Sequence, residues 1–123
     1  TPHFDSGAIH ILTTASLAWL KQALPDVQAD ERRFRPNLLL VAEGSGPVEL
    51  QWPGRTLQVG DRLKLRITDA TERCRMVTLA QGELPEDLRV LREIAQGLDA
   101  QFGVYAEVLV PGEVQVGDQV RLA

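Results

Sequence analysis

The chain has 123 residues, of which 44% are hydrophobic, and it carries a net charge of −4 with a pI near 5.1. This length supports one globular domain over residues 1–123, and the acidic balance argues against a nucleic-acid or membrane-surface partner, since either would need a dominant basic face. No apolar run approaches the roughly 20 residues that span a bilayer. The single cysteine fits a reducing compartment, so we expect a cytoplasmic protein.

A short strand and a helix are predicted at the start of the chain. Ala8 to Leu12 suits a brief strand, and Thr13 or Thr14 can accept a hydrogen bond from the first free amides of a following helix. Pro25 ends this helix. Its apolar stripe consists of Leu17, Leu20 and Leu24, widened by Trp19.

Further short strands are predicted in the middle of the chain. Leu38 to Ala42 is an apolar run typical of a buried strand, and Pro36 before it should hold Arg35 in an extended conformation. Val48 to Trp52 alternates apolar and polar residues, as a half-buried strand does.

Two segments share a strand–turn–strand pattern. Leu57 to Arg66 reads as two alternating segments with a bend at Gly60 and Asp61, and Val114 to Leu122 repeats this arrangement. We expect the two pieces to close opposite parts of a barrel-like sheet.

A second helix and a long strand are predicted towards the C-terminus. The helix runs from Pro85 to about Leu98, and Phe102 to Val110 returns to a strand. The apolar face of the helix consists of Leu88, Leu91, Ala95 and Leu98. Many short strands with two helices indicate an α+β domain built on a curled, mainly antiparallel sheet.

Cys74, the single cysteine, is the strongest candidate for chemistry. One thiol cannot form an internal disulfide, so it is reactive, a metal ligand or a buried apolar group. Arg73 and Arg75 flank it and favour the thiolate that metal binding and sulfur transfer both need. In an extended strand both arginines would point away from Cys74, so they activate the thiol only if the strand ends near Arg73.

Several spaced segments resemble, in the right order, the MOSC domain family, named for the C-terminal domain of molybdenum cofactor sulfurase. They are His10 to Leu17, Phe34 to Asn37, Arg73-Cys74 with Thr78 beyond, Phe102 to Tyr105, and Pro111-Gly112 followed by Val116 to Asp118. Relatives include the mitochondrial amidoxime-reducing component and small bacterial MOSC proteins. Compared with the larger relatives, the chain looks shortened at its N-terminal side. The sequence does not say whether another chain supplies the missing part.

The resemblance implies a β-rich fold that handles sulfur or the molybdenum-pterin cofactor. Cys74 would then be catalytic, either ligating molybdenum or carrying sulfane sulfur as a persulfide. Arg35 would bind the anionic part of the cofactor, with Asn37, Arg73 and Thr78 as further cofactor-binding residues. From the residues alone, Arg35 could instead pair with one of the 17 acidic residues.

Other cofactors find little support in the sequence. His3 and His10 are poor candidates for a base or co-ligand of Cys74, and no zinc, flavin, haem or NAD site is predicted. Neither Lys21 nor Lys64 suggests a Schiff base, so pyridoxal phosphate would enter only through a cysteine desulfurase partner.

Three functions remain open at this point. The first is a MOSC module that binds the molybdenum-pterin cofactor or carries persulfide sulfur on Cys74, with a desulfurase or a molybdoenzyme as partner. The second is a complete molybdenum-dependent reductase of N-oxygenated substrates, which would need a redox partner. The third is a non-catalytic module that keeps the fold and serves a structural or protein-binding role.

Overall fold

The computed structural model describes residues 3–4, 7–26, 30–73 and 88–123 of the chain. Within these residues, six strands form one mixed sheet that curls into a half-barrel, and two further strands pair separately. The strands are β1 (His3–Phe4), β2 (Ala8–Thr13), β3 (Leu38–Leu40), β4 (Thr56–Val59), β5 (Leu63–Glu72), β6 (Gln101–Val110), β7 (Gly112–Glu113) and β8 (Val120–Leu122). The helices are α1 (Thr14–Ala23) and α2 (Leu88–Leu98), and 3-10 turns span Glu31–Arg33 and Val48–Gln51.

The sheet has the strand order β3-β2-β6-β5-β4-β8, and β1 pairs with β7. Among the described strands, β2 and β3 run parallel, and the other neighbours run antiparallel. The expected α+β class, with a mainly antiparallel barrel-like sheet and helices, is therefore confirmed. Because β2 and β5 flank β6, residues from three distant parts of the sequence meet where these strands end.

Hydrophobic side chains pack on both faces of the sheet. Ile9 and Ile11 contribute to one core together with apolar residues of β4, β5 and β6. Because side chains alternate along a strand, Leu12 points to the opposite face, where it packs with Phe102 and residues of both described helices. His10 lies on the same face as Leu12, so its ring is directed towards the helical side of the sheet.

Helix α1 begins and ends as predicted. The Thr13 hydroxyl accepts a hydrogen bond from the Ser16 amide at 3.2 Å, which caps the N-terminus. At the other end the Leu24 amide donates to the Leu20 carbonyl at 2.9 Å, and Pro25 follows. Leu20 is fully buried, which confirms the centre of the predicted apolar stripe.

Helix α2 is confirmed from Leu88, but its buried face is rotated from the predicted one. Val90 and Ile94 are fully buried against the helical core, whereas Leu88 is 51% exposed. These two residues are one turn apart and together face Phe102, which fixes the rotation of the helix. The predicted start at Pro85 lies outside the described residues. Of the described helices, none has the length and apolar character needed to cross a bilayer.

The segment after Pro47 is a 3-10 turn, so the predicted strand from Val48 to Trp52 is wrong. The reason is the burial of Glu49, whose carboxylate is inaccessible to solvent and reaches the N-terminus of α1. It accepts hydrogen bonds from the Thr13 amide at 2.9 Å, the Thr13 hydroxyl at 3.0 Å and the Ser16 hydroxyl at 2.5 Å. A buried anion at a helix N-terminus is favoured by the free amides and the helix dipole.

The two strand–turn–strand segments do not lie on opposite parts of the sheet. The bend at Gly60 joins β4 and β5 as predicted, and of the second segment, Val114 to Leu122, the structure forms the strand β8, which pairs directly with β4. The two segments are neighbours, because the Gly60 amide donates to the Gln119 carbonyl at 2.8 Å. An added Cβ at Gly60 would lie 2.9 Å from the Asp118 carboxylate, so the two bends are in close contact.

We predict that Glu49→Ala lowers the free energy of unfolding by about 3 kcal/mol, because it leaves the buried Thr13 and Ser16 donors without an acceptor. Glu49→Gln should cost about 1–2 kcal/mol, since one amide oxygen remains as an acceptor. Urea unfolding followed by circular dichroism measures both changes. The exposed Glu43→Gln variant is the matched control and should stay within about 0.5 kcal/mol of the original protein. Equal stability of Glu49→Ala and Glu43→Gln would contradict this role.

Candidate functional site

The Arg73 guanidinium connects three segments that are far apart in sequence. Nε donates to the Phe102 carbonyl at 2.7 Å, one terminal nitrogen donates to the Phe34 carbonyl at 3.3 Å, and the other lies 2.5 Å from His10 Nε2. The guanidinium carbon also lies 5.1 Å from the centre of the Phe34 ring, within range of a cation–π interaction. The Arg73 amide in turn donates to the Ala100 carbonyl at 2.7 Å. Arg73 is therefore held by both its backbone and its side chain.

Strand β5 ends at Glu72, immediately before Arg73. The expected effect of the arginine charge on the thiol depends on the conformation of Cys74. Cys74 and Thr78 themselves lie outside the described residues.

His10 is fixed from several sides. It is 8% exposed, its amide donates to the Asn37 side-chain oxygen at 2.7 Å, and its carbonyl accepts from the Asn37 amide at 2.9 Å. The ring nitrogen Nδ1 lies 3.4 Å from the Arg35 carbonyl. Because a guanidinium can only donate, Nε2 must accept from Arg73, which leaves the proton on Nδ1 facing that carbonyl.

The surroundings of His10 favour the neutral ring. Burial, followed by the positive charge of Arg73, lowers the pKa of His10 from its ordinary 6.5 to about 4, while the Arg35 carbonyl acts in the opposite direction. The ring is therefore uncharged at neutral pH. The Tyr105 ring, on the adjacent strand, completes the enclosure with a centroid distance of 5.7 Å.

Gly103 leaves the space in which the His10 and Arg73 side chains meet. An added Cβ would lie 2.8 Å from His10 Nε2 and 3.0 Å from both an Arg73 terminal nitrogen and the Ile11 carbonyl. Its φ of +86° is also one that side-chain-bearing residues rarely adopt. Glycine is therefore required at this position by both space and backbone conformation.

Arg35 does not adopt the extended conformation expected of a residue before proline. Its φ is +52°, in the left-handed region, which costs about 1–2 kcal/mol for a residue with a Cβ. The Arg35 amide donates to the Glu31 carbonyl at 3.1 Å, and its own carbonyl faces His10, so local contacts hold the strained backbone. The residue is exposed. Strain of this kind is concentrated at functional sites.

Three of the residues predicted from the sequence lie around one imidazole. Asn37 binds the backbone of His10, Arg35 faces its Nδ1, and Arg73 contacts its Nε2. Sequence reasoning ranked His10 low because it considered only a direct pairing with Cys74. The signal was available, since the first segment of the family resemblance begins at His10.

The donor set of this site suits an anion. Arg35 and Asn37 are exposed and carry N–H donors, while the nitrogens of the Arg73 guanidinium contact Phe102, Phe34 and His10. In the part of the chain that the structure describes, no three His, Cys, Asp or Glu side chains converge in a way that could hold a metal ion. The described residues therefore fit the anionic and hydrogen-bonding parts of a ligand.

The structure is an α+β half-barrel in which Arg73, Arg35 and Asn37 contact His10. Comparison with known proteins shows the family to which the chain belongs. The family model for the MOSC domain matches residues 3–121, so the chain belongs to the MOSC domain family. This family is linked to molybdenum cofactor binding or sulfur transfer.

A solved structure supports the fold. The crystal structure of YiiM from Geobacillus stearothermophilus is similar with a TM-score of 0.66 and 13% sequence identity, over 97% of this chain and 60% of that one. The chain thus spans about 60% of the length of that protein. No curated protein matched the sequence.

We predict that Gly103→Ala lowers the free energy of unfolding by about 2–4 kcal/mol, because backbone strain adds to the clash with His10 and Arg73. Gly54→Ala is the matched control: its φ is +89°, but nothing lies within 4 Å of an added Cβ. It should cost about 1 kcal/mol, from strain alone. Thermal and urea unfolding of both variants measure the two decreases in the free energy of unfolding. Equal decreases would show that the close approach at Gly103 does not affect stability.

We also predict a pH dependence of stability that comes from His10. Between about pH 6.5 and pH 4 the unfolded chain binds a proton on His10 that the folded chain does not, so stability is complete above about 6.5 and falls as the pH decreases towards 4. The loss should be about 1–2 kcal/mol, less than full conversion of the pKa difference, because the 8% exposure of His10 leaves a charged ring some access to solvent. Urea unfolding across this range should show the slope in the original protein and a smaller one in His10→Gln. An NMR titration that gives His10 an ordinary pKa would exclude this explanation.

Proposed function

We propose that the protein is a MOSC module that uses Cys74 either to hold the molybdenum-pterin cofactor or to carry sulfane sulfur as a persulfide. The observation that carries the proposal is the anchored Arg73 guanidinium, one residue before Cys74 and in contact with His10, Phe34 and Phe102. Both versions of the function need a thiolate at Cys74 and an anionic ligand beside it.

The contacts of Arg73 support thiolate formation at the neighbouring residue. Two backbone carbonyls and a neutral imidazole orient the guanidinium, and none of these three groups carries a negative charge. A fixed positive charge close to a cysteine lowers the pKa of the thiol. Arg73 directly follows the last residue of β5, and Cys74 is its neighbour in the sequence.

Arg35 and Asn37 supply the second part of the proposed site. Arg35 offers a planar set of donors suited to a phosphate, and the Asn37 amide nitrogen can donate while its oxygen accepts from His10. In the cofactor-binding version, Arg35 holds the phosphate, Asn37 and Thr78 add hydrogen bonds, and Cys74 is the molybdenum ligand. The cofactor, when bound, supplies a metal centre that can change oxidation state.

In the sulfur-carrying version, Cys74 accepts sulfur from a persulfide donor such as a cysteine desulfurase. The Cys74 thiolate attacks the outer sulfur of the donor persulfide, the donor S–S bond breaks, and the donor leaves as a thiolate. The new S–S bond holds the sulfane sulfur on Cys74, and no external oxidant or reductant is needed. Arg73 stabilises the negative charge on the attacking thiolate.

The decisive experiment measures molybdenum content and intact mass of the purified protein, produced in hosts with and without molybdenum cofactor synthesis. We expect either near-stoichiometric molybdenum that needs the cofactor pathway, or a mass increase of one sulfur atom. Cys74→Ser should abolish either signal while leaving the circular dichroism spectrum unchanged.

Two arginine variants sharpen the same experiment. Arg35→Gln should reduce cofactor retention by about tenfold if its charge binds the phosphate, since charge-assisted hydrogen bonds contribute about 1.5–3 kcal/mol. Arg92→Gln, at an exposed position of α2, is the matched control and should load normally. If the original protein holds neither molybdenum nor sulfur after reconstitution with both, the proposal is wrong and a structural or protein-binding role is favoured. Turnover of an N-oxygenated substrate with a supplied redox partner would extend the cofactor-binding version to a reductase.

A further inference from the structure

His10 lies at the centre of the candidate site, although the proposed function gives it no role in ligand binding or in chemistry. Its ring is nearly enclosed, and its two nitrogens face different parts of the proposed site. Nε2 contacts the Arg73 guanidinium, and Nδ1 faces the Arg35 carbonyl. A single planar side chain thus connects two arginines that are 38 positions apart in the sequence.

The connection to Arg73 is directional. The guanidinium is planar, and each of its three nitrogens points to a different segment: β6 through Phe102, the segment before Pro36 through Phe34, and β2 through His10. Among these three contacts, the imidazole is the one that joins the guanidinium to β2, and it adds a third fixed point to the guanidinium plane.

The connection to Arg35 acts on its backbone. The left-handed conformation at Arg35 is held by its amide, which donates to Glu31, and by its carbonyl, which faces the Nδ1 proton of His10. Asn37, two residues on, is bound to both backbone groups of His10. These contacts with His10 therefore fix the direction in which the exposed Arg35 side chain extends from the backbone.

We propose that His10 is a positioning residue of the anion site: its neutral ring joins the Arg73 guanidinium to the Arg35 carbonyl and so fixes where the Arg35 side chain meets an anionic ligand. This inference rests on the proposed function only in taking Arg35 as the anion-binding residue. His10 itself does not touch the ligand.

The test uses inorganic phosphate as the probe and NMR as the readout. In the original protein, phosphate should shift the Arg35 and Asn37 signals in a saturable way. His10→Ala should raise the phosphate dissociation constant by about tenfold, because the orientation of Arg35 is no longer fixed. His10→Gln, which can accept from Arg73 and donate to the Arg35 carbonyl, should stay within about threefold of the original protein.

Two further variants separate positioning from stability and from binding. Val90→Ala removes buried volume from the helical core but no hydrogen-bonding group of the site, and it should lower stability without changing phosphate affinity. Arg35→Gln should remove the phosphate-dependent shifts altogether. The Arg73 Nε–H and Arg35 amide signals should move in His10→Ala and remain in place in His10→Gln.

Several results would overturn the inference. Unchanged phosphate affinity in folded His10→Ala, or equal losses in His10→Ala and Val90→Ala, would show that His10 does not position the site. The absence of saturable phosphate binding in the original protein would do the same. The absence of phosphate binding would also count against Arg35 as the phosphate ligand of the cofactor, whereas the role of Cys74 is tested separately by molybdenum or sulfur loading.

Discussion

The hydrogen bonds of one guanidinium, that of Arg73, hold together the part of this fold where function is expected. A cation that donates to two backbone carbonyls and one imidazole forms charge-assisted hydrogen bonds, which are stronger than neutral ones. The partners belong to β2, to the turn before Pro36 and to β6, so the network closes contacts between segments that chain connectivity leaves apart. Gly103 leaves room for this cation, and burial, followed by the charge of Arg73, lowers the pKa of His10.

Strand β2 connects this network to a second buried polar group. His10 stands in the middle of the strand and Thr13 at its end, where Thr13 caps α1 and also donates to the buried Glu49. Arg73 therefore contacts β2 through His10, and Glu49 contacts it through Thr13, three positions further along the strand.

Local patterns predicted the parts of the fold that depend on local chemistry. Thr13 before an apolar stripe predicted the start of α1, and Gly60-Asp61 predicted the turn between β4 and β5. Local patterns gave wrong predictions where a contact with a residue distant in sequence determines the backbone conformation. Val48 to Trp52 alternates like a strand, but burial of Glu49 at the start of α1 makes it a turn, and Arg35 is left-handed because of contacts to Glu31 and His10. The family resemblance predicted Arg35, Asn37 and Arg73 as site residues. It did not predict that they contact His10, because contacts between residues up to 63 positions apart leave no periodic pattern in the sequence.

Three partners of Arg73 hold its guanidinium without bringing a negative charge of their own. They are the carbonyl oxygens of Phe34 and Phe102 and the ring of His10, whose lowered pKa keeps it uncharged at neutral pH. The neutral state of His10 is thus required for the network itself, because a protonated ring would present a donor to a donor and release Arg73 from β2.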